Sequence, residues 1–291
     1  MNLGYIFAFL TILLFGSWAV PTKTLKINPI AQAFWLTVGH FLLSSIIFLF
    51  VFQTIPLKQF LPPFLAGIIW GVGIFSGYVA IRHLGITRAL GIWVPVVIIV
   101  STLWGLLFFG EAAKLGSGKL ILTLLGISLL IVATLAVIST LKGEKKITMV
   151  KVGILAALIL GIFHGSYFVP LRASNLSIFV TFLPLTIGMV ITTAILAKIQ
   201  HVKFIYDKFS TLRMILAGLL LGGGNYLALL TVQSIGVAQG YPLTQLGIIV
   251  NTLWGVFVFK EITGIKSKII IAVGILLAII GAVVLNQARL R

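Results

Sequence analysis

The chain has 291 residues, of which 21 are Lys or Arg and 4 are Asp or Glu, for a formal net charge of +17. Charged residues make up 9% of it and hydrophobic ones 60%, whereas a water-facing protein carries about 25% charged residues. A soluble enzyme, a disordered chain and a basic nucleic-acid-binding domain are excluded, and the lack of cysteine removes disulfides, thiolate metal sites and Cys nucleophiles. What remains is an all-α polytopic membrane protein.

Apolar runs of about 20 residues, the length that crosses a hydrocarbon core, recur ten times. They fall near 3–20, 30–52, 61–81, 85–108, 118–140, 149–170, 177–199, 213–233, 237–258 and 267–287. The first is preceded only by uncharged Met1 and Asn2, unlike a secretory leader, and it ends in GSWAVPTK, Gly16–Lys23. The second holds His40. The third carries Gly67 and Gly71, then Gly73 and Gly77, at four-residue spacings that let helices approach closely, with Trp70 among them. The fourth contains Trp93 and Pro95 and leads through Trp104 to Glu111. The fifth has almost nothing polar. A polar break at 141–148, around Lys142, Glu144, Lys145 and Lys146, separates it from the sixth, which holds His164 and GSYFVPLR, Gly165–Arg172.

The seventh span contains Pro184. After a polar stretch at 200–212, the eighth carries Gly218, then Gly222-Gly223-Gly224 followed by Asn225 and Tyr226. The ninth contains Pro242, Thr244 and Gln245 and leads through Trp254 to Glu261. Internal prolines remove a backbone donor and can kink a span. The tenth is as apolar as the fifth, and both read as outer helices that face lipid or a second copy of the chain in a homodimer.

The chain repeats itself across the polar break. GSWAVPTK matches GSYFVPLR at an offset of 149, with Gly, Ser, Val and Pro identical. Ser101–Glu111 matches Asn251–Glu261 at an offset of 150, with six of eleven residues identical. Gly71–Gly73 matches Gly222–Gly224, and Leu84-Gly85 matches Ile235-Gly236, at 151. Three matches in order at nearly constant offset mark a duplication: residues 1–140 as one repeat, 141–148 as connection, 149–291 as the second. Five spans per repeat is an odd number, so the second copy enters the membrane from the opposite side. Ten transmembrane helices as two inverted five-helix repeats are the architecture with which secondary transporters build two gates around one midplane site.

These features resemble the drug/metabolite transporter superfamily. Gly16–Lys23, Trp70–Gly73 and the Leu84-Gly85-Ile86 corner are similar to its glucose/ribose porters and rhamnose–proton symporters. The resemblance covers the whole chain and implies a sugar substrate and proton coupling. It also implies that Trp18, Trp70, Phe75, Trp93, Tyr167 and Tyr226 stand in the spans around a cavity, whereas Trp104 and Trp254, near span ends, read as interfacial anchors.

Differences between the repeats point to the ligand. His164 stands opposite Phe15, Asn225 opposite Ile74, and Gln245 opposite Pro95 or Val94. A polar group at mid-span is costly unless a protein partner or a ligand satisfies it. The expected substrate-binding residues are therefore His164, Asn225, Tyr226, Thr244, Gln245 and Trp70. No span contains Asp or Glu, so any coupling proton falls to His40 or His164, each of which could equally be a neutral histidine held by a neighbour. Glu111 and Glu261 are expected to complement the N-terminus of the helix that follows each. Walker loops, metal-ligand clusters and catalytic triads are absent, so no cofactor and no enzymatic activity are expected.

The expected activity is transport of a small polar metabolite, foremost a monosaccharide, across the cell membrane by alternating access. Its partners are that solute, membrane lipid and a proton or other coupling ion, and not nucleic acid. An amino-acid or metabolite exporter on the same fold, and a non-transporting protein such as a lipid scramblase, are the alternatives. Loops 1–2, 3–4, 5–6, 7–8 and 9–10, taken with the span ends that flank them, hold 15 of the 21 Lys and Arg. Positive charge prefers the cytoplasm, which predicts both termini outside.

Overall fold

The computed structural model describes residues 3–108, 116–141, 147–171, 173–174, 176–235, 243–244 and 246–289. All regular structure among them is helical, as a bilayer requires of an open chain whose backbone groups must bond internally. The helices are α1 (Leu3–Ser17), α2 (Pro29–Phe50), α3 (Leu57–Leu84), α4 (Ile86–Leu103), α5 (Ser117–Ser139), α6 (Ile147–Ser166), α7 (Ile178–Ile199), α8 (Lys208–Ile235), α9 (Gly247–Leu253) and α10 (Ile265–Arg289). Among the described residues nine helices are long and apolar enough to cross a membrane. The remaining apolar helix, Gly247–Val258, is shorter. It falls in the ninth expected span, whose residues 237–242 and 245 lie outside the described set, with Pro242 and Gln245 among them.

Two helices start a full turn or more before their apolar runs. α3 begins at Leu57 rather than 61, and α8 at Lys208 rather than 213. Both added turns mix a lysine and other polar residues with apolar ones, so hydropathy passes over them. In α8 the turn is fixed by Asp207, whose carboxylate accepts the Ser210 N–H at 2.9 Å, an N-terminal cap. At the other end of α3, Gly85 turns the chain with φ +83°, a conformation that a side chain disfavours.

α4 and α9 each run on into a π-helical turn, Trp104–Phe108 and Trp254–Val258. These lie 150 residues apart, the offset at which the two sequence segments match. Packing has the same symmetry: α3 lies on α6 and α7, and its counterpart α8 lies on α1 and α2. α4 packs on α6 as α9 packs on α1, while α2 meets α7 and α5 meets α10. The backbones touch where glycine permits. A Cβ at Gly67 would overlap the Leu185 carbonyl of α7, and one at Gly218 the Leu36 carbonyl of α2. The Gly222–Gly224 run leaves α8 continuous; its open sides receive His40 at Gly222 and Phe15 at Gly224.

The connections after α1, α3, α5, α7 and α9 gather at one end. Arg213 Nε donates to Pro21 O at 2.7 Å and Trp35 Nε1 to Phe204 O at 3.0 Å. Arg88 Nη2 donates to Thr140 O at 3.1 Å, and Lys23 pairs with Glu261. α5 and α10 turn exposed faces outward, among them Ile121 and Leu124 on one and Ile269 and Leu276 on the other, as expected of outer helices that face lipid or a second copy of the chain.

Candidate substrate cavity

A cavity of about 360 Å³ lies at the centre of the bundle, within the range of small-molecule sites. α1, α3, α4, α6, α7, α8 and α9 contribute to its wall; α2, α5 and α10 do not. Trp18, Trp70, Trp93, Tyr167 and Phe182 supply aromatic surface. His164, Asn225 and Thr244 supply polar groups, and among the described residues no Lys, Arg, Asp or Glu reaches the lining. Its chemistry suits a neutral solute with both hydroxyls and apolar C–H faces.

His164 is fixed by Trp70. Their rings stack at 4.7 Å and 19°, and His164 Nε2 lies 3.2 Å from the Trp70 carbonyl. A carbonyl only accepts, so that bond puts the proton on Nε2 and makes Nδ1 the acceptor of the neutral ring. The niche that receives this ring is open because residue 73 is glycine. Its counterpart at Gly224 receives Phe15. One niche therefore occurs twice, once filled by a hydrocarbon and once by an imidazole, and both residues line the cavity.

The other expected site residues separate. Asn225 and Thr244 line the cavity with His164 and Trp70. Tyr226 does not: its ring packs behind the wall, on the lining residue Phe182 at 4.4 Å and on Phe179 at 6.1 Å. Its buried hydroxyl has no partner among the described residues. Adjacent residues on a helix point about 100° apart, and here it is Asn225 that is turned to the cavity. His40 is also outside the lining. It is 0% exposed, packed against Trp70 at 5.9 Å and Phe182 at 5.8 Å, with neither ring nitrogen bonded among the described residues. Phe75 is likewise absent from the lining. Sequence reasoning passed over Phe182, which carries no signal beyond being an aromatic residue in an apolar span.

The cavity is sealed toward the end where the basic loops gather. Trp18 meets Tyr78 edge-on at 5.9 Å and Trp93 at 6.5 Å. Beyond them Glu261 pairs with Lys23, and its two oxygens accept the Ile86 N–H at 2.9 Å and the Thr87 N–H at 3.1 Å. Glu261 thus caps α4, in the other repeat, and not α10, which follows it in sequence. The carboxylate fits there because Gly85 and Gly255 leave room: a Cβ on either would crowd it, at 2.7 and 2.9 Å. Glu111 lies outside the described residues.

Trp104 and Trp254 each find a hydrogen-bond partner inside the protein. Trp104 Nε1 donates to Ser166 Oγ at 2.8 Å, and Trp254 Nε1 to Ser17 Oγ at 3.0 Å. Each indole ties its helix to the Gly-Ser motif of the opposite half of the chain.

A model of the sugar transport protein family matches residues 6–288. The chain is 30% identical over 289 residues to the glucose uptake protein GlcU of Bacillus subtilis, covering 98% of each. It is 25% identical over 292 residues to a putative sugar uptake protein of Enterococcus faecalis, covering 99% of this chain and 100% of that one. One crystal structure, 15% identical and spanning 98% of both chains, superposes with a TM-score of 0.60, which shows a shared fold.

Proposed function

Since the chain belongs to the sugar transport protein family, we propose that it carries a monosaccharide across the cell membrane through the central cavity. One observation carries this reading: the cavity of about 360 Å³ is aromatic and uncharged, with His164, Asn225 and Thr244 as its polar groups. Aromatic faces suit sugar C–H surfaces, and the amide, hydroxyl and imidazole suit sugar hydroxyls. An amino acid would bring two opposite charges into a lining with no charged partner among the described residues, at a high desolvation cost. The exporter reading therefore loses ground.

The mechanism is alternating access between inverted repeats. The five-span repeats, the paired π turns and the exchanged packing of α3 and α8 support it. In the conformation described, the solute enters from the end opposite Lys23 and Glu261. His164 Nδ1 and the Asn225 amide receive its hydroxyls, and Trp70, held by the His164 stack, forms one wall. Gln245, beside Thr244 in sequence, completes this group in the proposal. His164 is the residue for proton coupling, because it reaches the solute. His40 would have to charge among rings, with neither ring nitrogen hydrogen-bonded among the described residues.

The test is flux in proteoliposomes. Labelled D-glucose should enter saturably and exchange with unlabelled glucose, and an amino-acid mixture should not compete. Competition by amino acids would restore the exporter reading. Absence of saturable flux of any solute would favour a non-transporting protein such as a scramblase. An inward proton gradient should drive accumulation in wild type and not in His164→Gln. Accumulation that persists in that variant removes His164 from coupling.

A further inference from the structure

Between the cavity floor and the Lys23–Glu261 pair lies a seam with polar groups that nothing among the described residues satisfies. Asn251 is 0% exposed, yet its amide oxygen and nitrogen both lack a hydrogen-bond partner there. Thr87 Oγ1 is buried and equally unpartnered. An interior amide left without bonds costs more than an apolar residue of the same shape would. Packing alone would be better served by Leu or Met at this point.

Their placement follows from helical spacing. Asn251 is three residues after Ile248, which lines the cavity, and four before Gly255, whose added Cβ would overlap Thr87 Oγ1. These three residues share one face of the ninth span, turned toward α4. On its flank, Val250 abuts Gly16 of α1. Thr87 lies one turn from Leu90, another cavity residue, and its N–H is held by Glu261. The line from cavity to surface therefore runs Ile248 and Leu90, then Asn251 and Thr87, then Glu261 and Lys23. In the first repeat the position of Asn251 is taken by Ser101, whose hydroxyl donates to Ile98 O within its own helix at 2.9 Å. Only one half of the molecule has an unsatisfied amide here.

We propose that Asn251, with Thr87, forms an inner solute-binding subsite for sugar hydroxyls. It is closed in this conformation and becomes wetted when the Lys23–Glu261 pair and the Glu261 cap on α4 release. The idea rests on the sugar-transport reading for the identity of the solute, and on the unsatisfied groups alone for the path. α4 and the ninth span separate along the Asn251–Thr87 seam, solute hydroxyls or water take up the amide, and the solute leaves at the end that carries Lys23. Glu261 is the door of this path: it holds α1, α4 and the ninth span together through one carboxylate.

The native chain has no cysteine, so single cysteines report without background. Asn251→Cys and a control, Leu130→Cys, buried at 0% in the α5–α10 seam, are treated with a charged methanethiosulfonate applied from the Lys23 side. Asn251→Cys should react, and adding Glu261→Gln should speed it by roughly tenfold, the shift expected if the lock contributes about one decade to the closed state. Leu130→Cys should stay unreactive in both backgrounds. An Asn251 cysteine as inert as the Leu130 cysteine, with and without Glu261→Gln, overturns the path. In parallel, Asn251→Leu should raise the KM for D-glucose efflux about 2- to 13-fold, the worth of one hydrogen bond, and leave the uptake KM unchanged. Equal changes on both sides, or none, overturn the subsite. If wild-type vesicles pass no D-glucose, the sugar reading fails while the labelling still decides the path.

Discussion

At the scale of single residues, the repeat acts as an internal control. His164 and Phe15 fill equivalent glycine niches beside the same cavity, so the imidazole is not needed to fill space. Asn225 likewise replaces Ile74. Asn225→Leu should therefore bind D-glucose about 2- to 13-fold more weakly, for a lost bond of about 0.5–1.5 kcal/mol, with unliganded thermal stability unchanged; calorimetric titration beside a melting curve reads both. A second residue-scale prediction concerns pH. Asp207 has its carboxyl held below the usual carboxylate range by the Ser210 side chain first, and by the Ser210 N–H. A folded-state pKa that is depressed contributes stability above the ordinary Asp value and loses it as pH falls through the lowered one. Hydrogen exchange at residues 208–211 should accelerate in that acid window, and Asp207→Asn should flatten the response.

At the scale of elements, two kinds of tie hold the repeats to each other. The Trp104–Ser166 and Trp254–Ser17 bonds join residues that match across the two halves of the sequence. Ser17→Ala and Ser166→Ala should each lower stability by about 0.5–1.5 kcal/mol and leave glucose affinity alone. A change in affinity without one in melting would place these serines at the solute instead. The glycine contacts are stiffer, because backbone cannot step aside. Gly67→Ala and Gly218→Ala should each cost about 1–3 kcal/mol by overpacking, seen as a lower melting temperature in detergent. The motif Gly-Ser was readable as a repeat, but its purpose was not, since the indole that needs the serine lies in the other half of the chain. Glu261 has the same lesson. A carboxylate before a helix suggests a cap for that helix; the actual partner, the N-terminus of α4, is set by tertiary approach through Gly85 and Gly255.

At the scale of the whole molecule, the membrane class and the succession of helices were legible from apolar runs, because bilayer thickness imposes their length. Where first turns of mixed polarity extend α3 and α8, hydropathy had no signal. The candidate site was half legible. Asymmetry between repeats picked out His164 and Asn225, which line the cavity. It could not tell that Tyr226 packs behind the wall on Phe179 and Phe182, or that His40 lies behind Trp70, since those outcomes depend on which face of a helix meets which neighbour. The gathering of the basic connections at the sealed end carries a topological prediction. With positive charge on the cytoplasmic side, both termini face outward and the closed end is cytoplasmic. An impermeant maleimide added outside intact cells should label Asn2→Cys and spare Lys145→Cys; the reverse pattern inverts the assignment.

The central claim is that the uncharged, aromatic cavity binds a monosaccharide for transport. Its most direct test is titration of purified wild-type protein and Asn225→Leu with D-glucose, read by calorimetry. The account predicts saturable heat in wild type and about 2- to 13-fold weaker binding in the variant. Binding that is absent in wild type, or of equal strength in both proteins, would contradict it.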